Sequence, residues 1–112
     1  MSTIHHPVPE EFLSTALSES MRVPAHVWRD YYEGVVLTVD DTARLGEISV
    51  PTLILWGERD SILAREEQER RAVAIPNATL RVYPDTGHAV TWERPEWVVR
   101  DLKAFMRGGR PA

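Results

Sequence analysis

Pro51-Thr52-Leu53-Ile54-Leu55-Trp56-Gly57-Glu58-Arg59-Asp60 is the stretch on which the fold turns, and Ala78-Thr79-Leu80-Arg81-Val82-Tyr83-Pro84-Asp85-Thr86-Gly87-His88 answers it downstream. Each reads as a strand running into a loop, and Ala64 to Ile75 between them reads as a helix. A strand-helix-strand unit makes parallel neighbours joined by a crossover. Parallel neighbours finish at the same edge of a sheet. Asp60 and His88 are therefore expected to meet at the carboxyl edge, where open α/β sheets place their sites. A carboxylate that orients an imidazole is two of the three parts of a nucleophilic triad.

The pattern resembles the C-terminal end of an α/β-hydrolase-fold enzyme. In that family the penultimate strand runs into W-G-x-x-D, which carries the triad acid. The last strand runs into a G-H pair carrying the triad base, often followed by E-x-P-E and a final helix. Here these are Trp56-Gly57-Glu58-Arg59-Asp60, Gly87-His88 and Glu93-Arg94-Pro95-Glu96. The resemblance covers Val50 to Arg107, and more loosely Pro9 to Ile48 as part of a helical cap. It implies an α/β fold, hydrolysis of a small ester-like substrate through Ser, His and Asp, and neither cofactor nor metal. Asp60 would be the triad acid and His88 the base. The family's chain order of nucleophile, acid and His also fits. The nucleophile itself is not encoded: G-x-S-x-G needs two glycines four apart, and Gly34, Gly46, Gly57, Gly87, Gly108 and Gly109 include no such pair. The oxyanion loop near the family's N-terminus is missing as well. The expectation is a truncated C-terminal part of the fold, inactive by itself.

The two strands support that expectation without any family. Leu53-Ile54-Leu55 is apolar on both faces, like an interior strand covered by helices on each side. Thr79 to Tyr83 alternates, as a strand nearer an edge does. An interior strand wants two hydrogen-bonded neighbours, and this chain offers the first strand one. Its open side is a site for self-association or for pairing with an N-terminal half.

Composition narrows the partners. The 112 residues are one domain or part of one, with 43% hydrophobic residues and four Trp to build a core. A formal charge of −4 argues against nucleic acid and anionic membrane, both of which reward clustered Lys and Arg. Zero cysteines exclude disulfides and thiolate metal sites and suit a reducing cytoplasm. Met1 to His6 lacks the pattern of a signal peptide, and the apolar runs are too short to span a bilayer.

Two segments follow from the organisation: 1–48, helical and cap-like, and 49–112, the hydrolase core. Residues 1–8 read as an irregular lead-in. Pro9 suits the first turn of a helix to about Ser20, with Glu10 and Glu11 at its positive end and Phe12, Leu13, Ala16 and Leu17 as its apolar stripe. Pro24 opens a second helix carrying Val27, Trp28, Tyr31, Tyr32 and Val35. Asp40 and Asp41 start a short third, with Gly46 as its stop. After His88, Pro95 restarts a helix whose Val98, Val99, Leu102, Phe105 and Met106 are expected to face inward, ended by Gly108 and Gly109.

The chemical residues also have plainer readings. Asp60 suits a turn or helix cap, and His88 a turn packed by Trp92. Ser61 reads as a cap. Glu58, Arg59 and Asp85 read as solvated loop charges, and Glu93 and Glu96 as flanks and caps of the last helix. His5, His6 and His26 form no metal set, adjacent histidines in a lead-in being solvated as a rule. Trp28, Tyr31 and Tyr32 read as core, with pocket lining as the second option. Two functions stay open. One is the hydrolase portion acting on a small-molecule substrate. The other is a non-catalytic interaction module that binds a partner chain at the open sheet edge.

Overall fold

The computed structural model describes residues 3–108. They form two compact units, Val8–Ala43 and a second made of residues 3–7 with 44–108. The division falls at 43/44 rather than 48/49, and the lead-in groups with the C-terminal unit because its backbone bonds to the His88 loop.

In the smaller unit, α1 (Glu10–Ser20) and α2 (Ala25–Tyr31) each begin directly after a proline, Pro9 and Pro24, whose ring presets φ near −53° and −59°. A π-helical turn, Tyr32–Val36, follows α2, with Leu37 N donating to Tyr32 O at 3.0 Å. Neither helix has a buried residue. Phe12 and Leu17 on the α1 stripe, and Trp28, Tyr31 and Tyr32, are exposed, so none of them forms a core within this unit. Thr42–Glu47, which runs across the 43/44 division, is 3-10 helix, opened by Asp40 Oδ1, which accepts from Thr42 N at 3.0 Å. Gly46, expected as its stop, lies inside it. The tight turn ends by Ile48 N donating to Leu45 O at 3.2 Å, which calls for no left-handed residue.

In the larger unit, β1 (Thr52–Gly57) and β2 (Ala78–Tyr83) are parallel, in register from Thr52 opposite Ala78 to Gly57 opposite Tyr83. The crossover helix is α3 (Arg65–Ala74). A short α4 (Val90–Glu93), which the sequence did not lead us to expect, precedes α5 (Pro95–Met106). The buried apolar residues are Trp56, Ile75, Tyr83 and Val98.

Charge as well as apolar contact fastens α5 to β2. Tyr83 Oη donates to the buried Asp101 Oδ2 at 2.5 Å, and Asp101 also takes Arg81 at 3.1 Å and Arg100 at 3.0 Å. Burial pushes the Asp101 pKa upward, but the bonds from Arg100 and Tyr83 and the charge of Arg81 outweigh it and hold the carboxyl below its ordinary value. Burial and the same carboxylate push the Tyr83 phenol well upward. Tyr83 meets Trp97 edge-on at 5.4 Å.

Of the inward stripe expected on α5, Val98 is buried and Phe105 half-buried, whereas Val99, Leu102 and Met106 are exposed. Two strands spaced about 4.8 Å apart cannot cover a helix of about 10 Å diameter together with α3. Gly108, at φ 79°, ends α5 in the left-handed conformation that glycine adopts without cost. Gly109 lies outside the described residues. Among the described residues, no helix is long and apolar enough to cross a membrane.

Candidate functional site

The loop after β1 is wound by Asp60. Its Oδ1 accepts from Ile62 N at 2.7 Å and Leu63 N at 2.9 Å, and the Trp56 indole holds the far end through Leu63 O at 3.2 Å. The other carboxylate oxygen is thereby free to point elsewhere. It meets His88: Oδ2 and Nδ1 are 2.9 Å apart. Asp60 thus shapes the turn with one carboxylate oxygen and bonds His88 with the other.

Burial pushes the Asp60 carboxyl upward, but the Leu63 amide, the His88 bond and the Ile62 amide outweigh it, and its pKa sits below the ordinary value. The side chain is 3% exposed. An ionised carboxylate only accepts, so the ring proton of neutral His88 belongs on Nδ1 and the lone pair on Nε2. Nε2 has no hydrogen bond among the described residues, and the His88 side chain is 39% exposed. That leaves an imidazole with one nitrogen oriented and the other open.

A stability effect follows. A depressed folded pKa contributes stability that is fully present above the unfolded value of about 3.9 and is lost as pH falls through the folded value below it. Asp60→Asn should therefore cost about 1–2 kcal/mol at pH 7. The gap to the parent chain should close as pH drops below about 4, since acid neutralises the parent carboxylate too. Urea midpoints at pH 7 and pH 3 check this; a gap that stays constant would remove the charge from the account. Asp101 acts alike in both chains and cancels.

The loop after β2 is held from several sides. Thr86, fully buried, bonds its hydroxyl to Pro84 O at 2.8 Å and accepts Arg59 N on its carbonyl at 2.8 Å. Arg94 donates to Thr86 Oγ1 at 3.0 Å and Asp85 O at 3.1 Å while stacking on Trp97 at 4.2 Å. Glu58, Arg59 and Asp85 make exposed ion pairs of 3.8 Å, worth little.

Glu93 departs from its expected capping role. It is 3% exposed, and its Oε1 accepts the amides of Gly87, His5 and His6. The lead-in is irregular, with His5 exposed as expected, but its backbone is tied down: Thr3 O accepts His88 N at 2.8 Å. Periodicity gives no sign of this role, since two of the three donors lie 87 and 88 positions away. The only sequence cue is the Glu of E-x-P-E itself. Among the described residues, no group of three or more acidic or histidine side chains is placed to hold a metal ion.

Comparison with known proteins identifies related chains. The sequence profile of the alpha/beta hydrolase family matches residues 3–101. The chain is 40% identical over 68 residues to 2-hydroxy-6-oxononadienedioate/2-hydroxy-6-oxononatrienedioate hydrolase 2 of Pseudomonas putida, covering 61% of this chain and 24% of that protein. It is 28% identical over 99 residues to 2-hydroxy-6-oxo-6-phenylhexa-2,4-dienoate hydrolase of Burkholderia cepacia, covering 88% and 31%. Among solved structures, a thermophilic esterase from Thermogutta terrifontis superposes with a TM-score of 0.59 at 39% identity, over 62% of this chain and 25% of that one. The chain thus spans about a quarter to a third of the length of these relatives. With two parallel strands, their crossover helix and a profile match over most of its length, the chain belongs to the alpha/beta hydrolase family.

Proposed function

We propose that Asp60 and His88 are the acid and base of a Ser-His-Asp hydrolytic centre acting on a small ester-like substrate, and that this chain supplies two of its three members. The observation that carries this reading is the 2.9 Å bond from His88 Nδ1 to Asp60 Oδ2, which leaves Nε2 open toward a third group. In such a centre Nε2 takes the proton of the attacking hydroxyl and returns it to the leaving group. Asp60 holds the ring's tautomer and stabilises the imidazolium. The Val8–Ala43 helices would contribute part of a cap, where Trp28, Tyr31 and Tyr32 are candidates to line a substrate cavity. The relatives' names, two dienoate hydrolases and an esterase, support a small carbonyl compound as substrate. No cofactor is needed for this chemistry. A cysteine-free composition supports a cytoplasmic setting.

The 112-residue chain by itself should show no triad-type turnover, because base, nucleophile and oxyanion donors act as a unit. A serine-directed fluorophosphonate probe is the discriminating reagent, since any surface His slowly cleaves an activated ester. No stoichiometric labelling is expected; stoichiometric labelling at one defined Ser would show that a nucleophile is present and refute this reading. The second reading, an interaction module, draws on a separate observation: β1 has one neighbour in a two-stranded sheet. Hydrogen exchange along β1 tests it.

A further inference from the structure

Resting on the reading of His88 as the base, we infer that Glu93 is a positioning residue that fixes the His88 loop by binding it to the segment Thr3–His6. Glu93 is the last residue of α4, and its carboxylate bonds to loop amides rather than capping a helix. Its Oε1 gathers three backbone donors instead: Gly87 N at 2.8 Å, His5 N at 3.0 Å and His6 N at 2.7 Å. The amide of His88 itself goes to Thr3 O at 2.8 Å. The base and the residue before it are thus both tied to one short segment, and the carboxylate is the common anchor. A Cβ on Gly87 would come within 2.5 Å of Thr3 O, 2.7 Å of His5 N and 2.9 Å of Glu93 Oε2, so the three pieces are already at contact distance. The His6 ring lies 3.4 Å from Arg94 Nη1, which adds a second tie between segment and loop. The carboxylate's other oxygen is buried with no hydrogen-bond partner. Only one oxygen does the gathering, and an amide oxygen could replace it.

Backbone tethering of this kind fixes where the imidazole stands relative to Asp60, since a ring 39% exposed has little packing of its own to hold it. The test uses the 112-residue chain, ¹⁵N-labelled, and reads the His88 Nδ1–H ring resonance together with amide exchange. In the parent chain the ring resonance should be present and the His5, His6 and Gly87 amides protected. In Glu93→Ala, exchange at those three amides should rise at least about tenfold, equivalent to ~1.4 kcal/mol of lost hydrogen bonding, and the ring resonance should broaden away. The strand amides of Ile54 and Arg81 should keep their protection. Glu93→Gln should retain the ring resonance. A folded Glu93→Ala chain with unchanged exchange and an intact ring resonance would overturn the inference. So would His5 and His6 amides that exchange at random-coil rates in the parent chain, an outcome readable even if Glu93→Ala does not fold. A parent chain with protected His5 and His6 amides but no ring resonance would instead defeat the Asp60–His88 reading.

Discussion

Gly57→Ala should destabilise the larger unit by at least about 1–3 kcal/mol and separate His88 from Asp60. A Cβ at Gly57 would overlap Gly87 O and lie 2.5 Å from Thr86 O and 2.9 Å from Thr86 C. All three atoms are backbone, so no side-chain tip can swing aside. The β1 turn and the β2 turn pass each other at this point, and the tight passage is what brings the two loops close enough for a direct Asp60–His88 bond. The strain can be relieved in two ways, by unfolding or by lifting the Thr86–His88 segment. With a domain's net stability of about 5–15 kcal/mol, either is within reach. Urea unfolding followed by Trp fluorescence measures the first, and loss of the His88 ring resonance the second. Gly34→Ala is the control, since a Cβ there meets nothing within 4 Å and removes a glycine from a helical turn. Its expected effect is neutral to stabilising by up to about 1 kcal/mol. Equal midpoints together with an unchanged His88 ring resonance in Gly57→Ala would refute the close passage.

The same passage explains why the site was legible in the sequence while its support was not. Strand boundaries came through within a residue or so because Leu53-Ile54-Leu55 and the Ala64–Ile75 pattern are local signals, and the parallel crossover then dictates which loop ends share an edge. Asp60 and His88 follow from that topology alone. Glu93 does not: a Glu two residues before a helix-starting Pro reads as a cap, and only the folded chain brings residues 3–6 to it. The stripe on α5 failed in another way. Its 3.6-residue period correctly marks an amphipathic helix, but a period says nothing about how much surface is available to cover it, and Met106 remains 82% exposed. The π-turn after α2 is similarly invisible, because a shift from i→i+4 to i→i+5 bonding over five residues leaves no mark on the apolar pattern.

Hydrogen exchange along β1 should alternate residue by residue, and the contrast should be large. Thr52 N and Glu58 N both donate to the β2 side, to Asn77 O and Tyr83 O at 2.9 Å each. Successive amides of a strand point to opposite sides, so Ile54 and Trp56 also face β2, whereas Leu53 and Leu55 face the edge that has no strand beside it among the described residues. That edge carries apolar side chains around unpaired backbone groups. Each such group costs about 1–3 kcal/mol when buried without a partner. Open to water in the monomer they escape that cost, and an added strand pairs them directly. In dilute monomer the Leu53 and Leu55 amides should exchange at least about a hundredfold faster than Ile54 and Trp56, the equivalent of ~2.7 kcal/mol. Raising the concentration, or adding a chain that supplies the neighbouring strand, should slow Leu53 and Leu55 and leave the other two unchanged. If self-association alone protects them, the interaction-module reading gains. If only a segment bearing the nucleophile protects them, and fluorophosphonate labelling appears with it, the divided hydrolytic centre gains. Equal, strong protection of all four amides in a dilute monomer would defeat both, because it would mean that β1 has no open edge for any partner to fill.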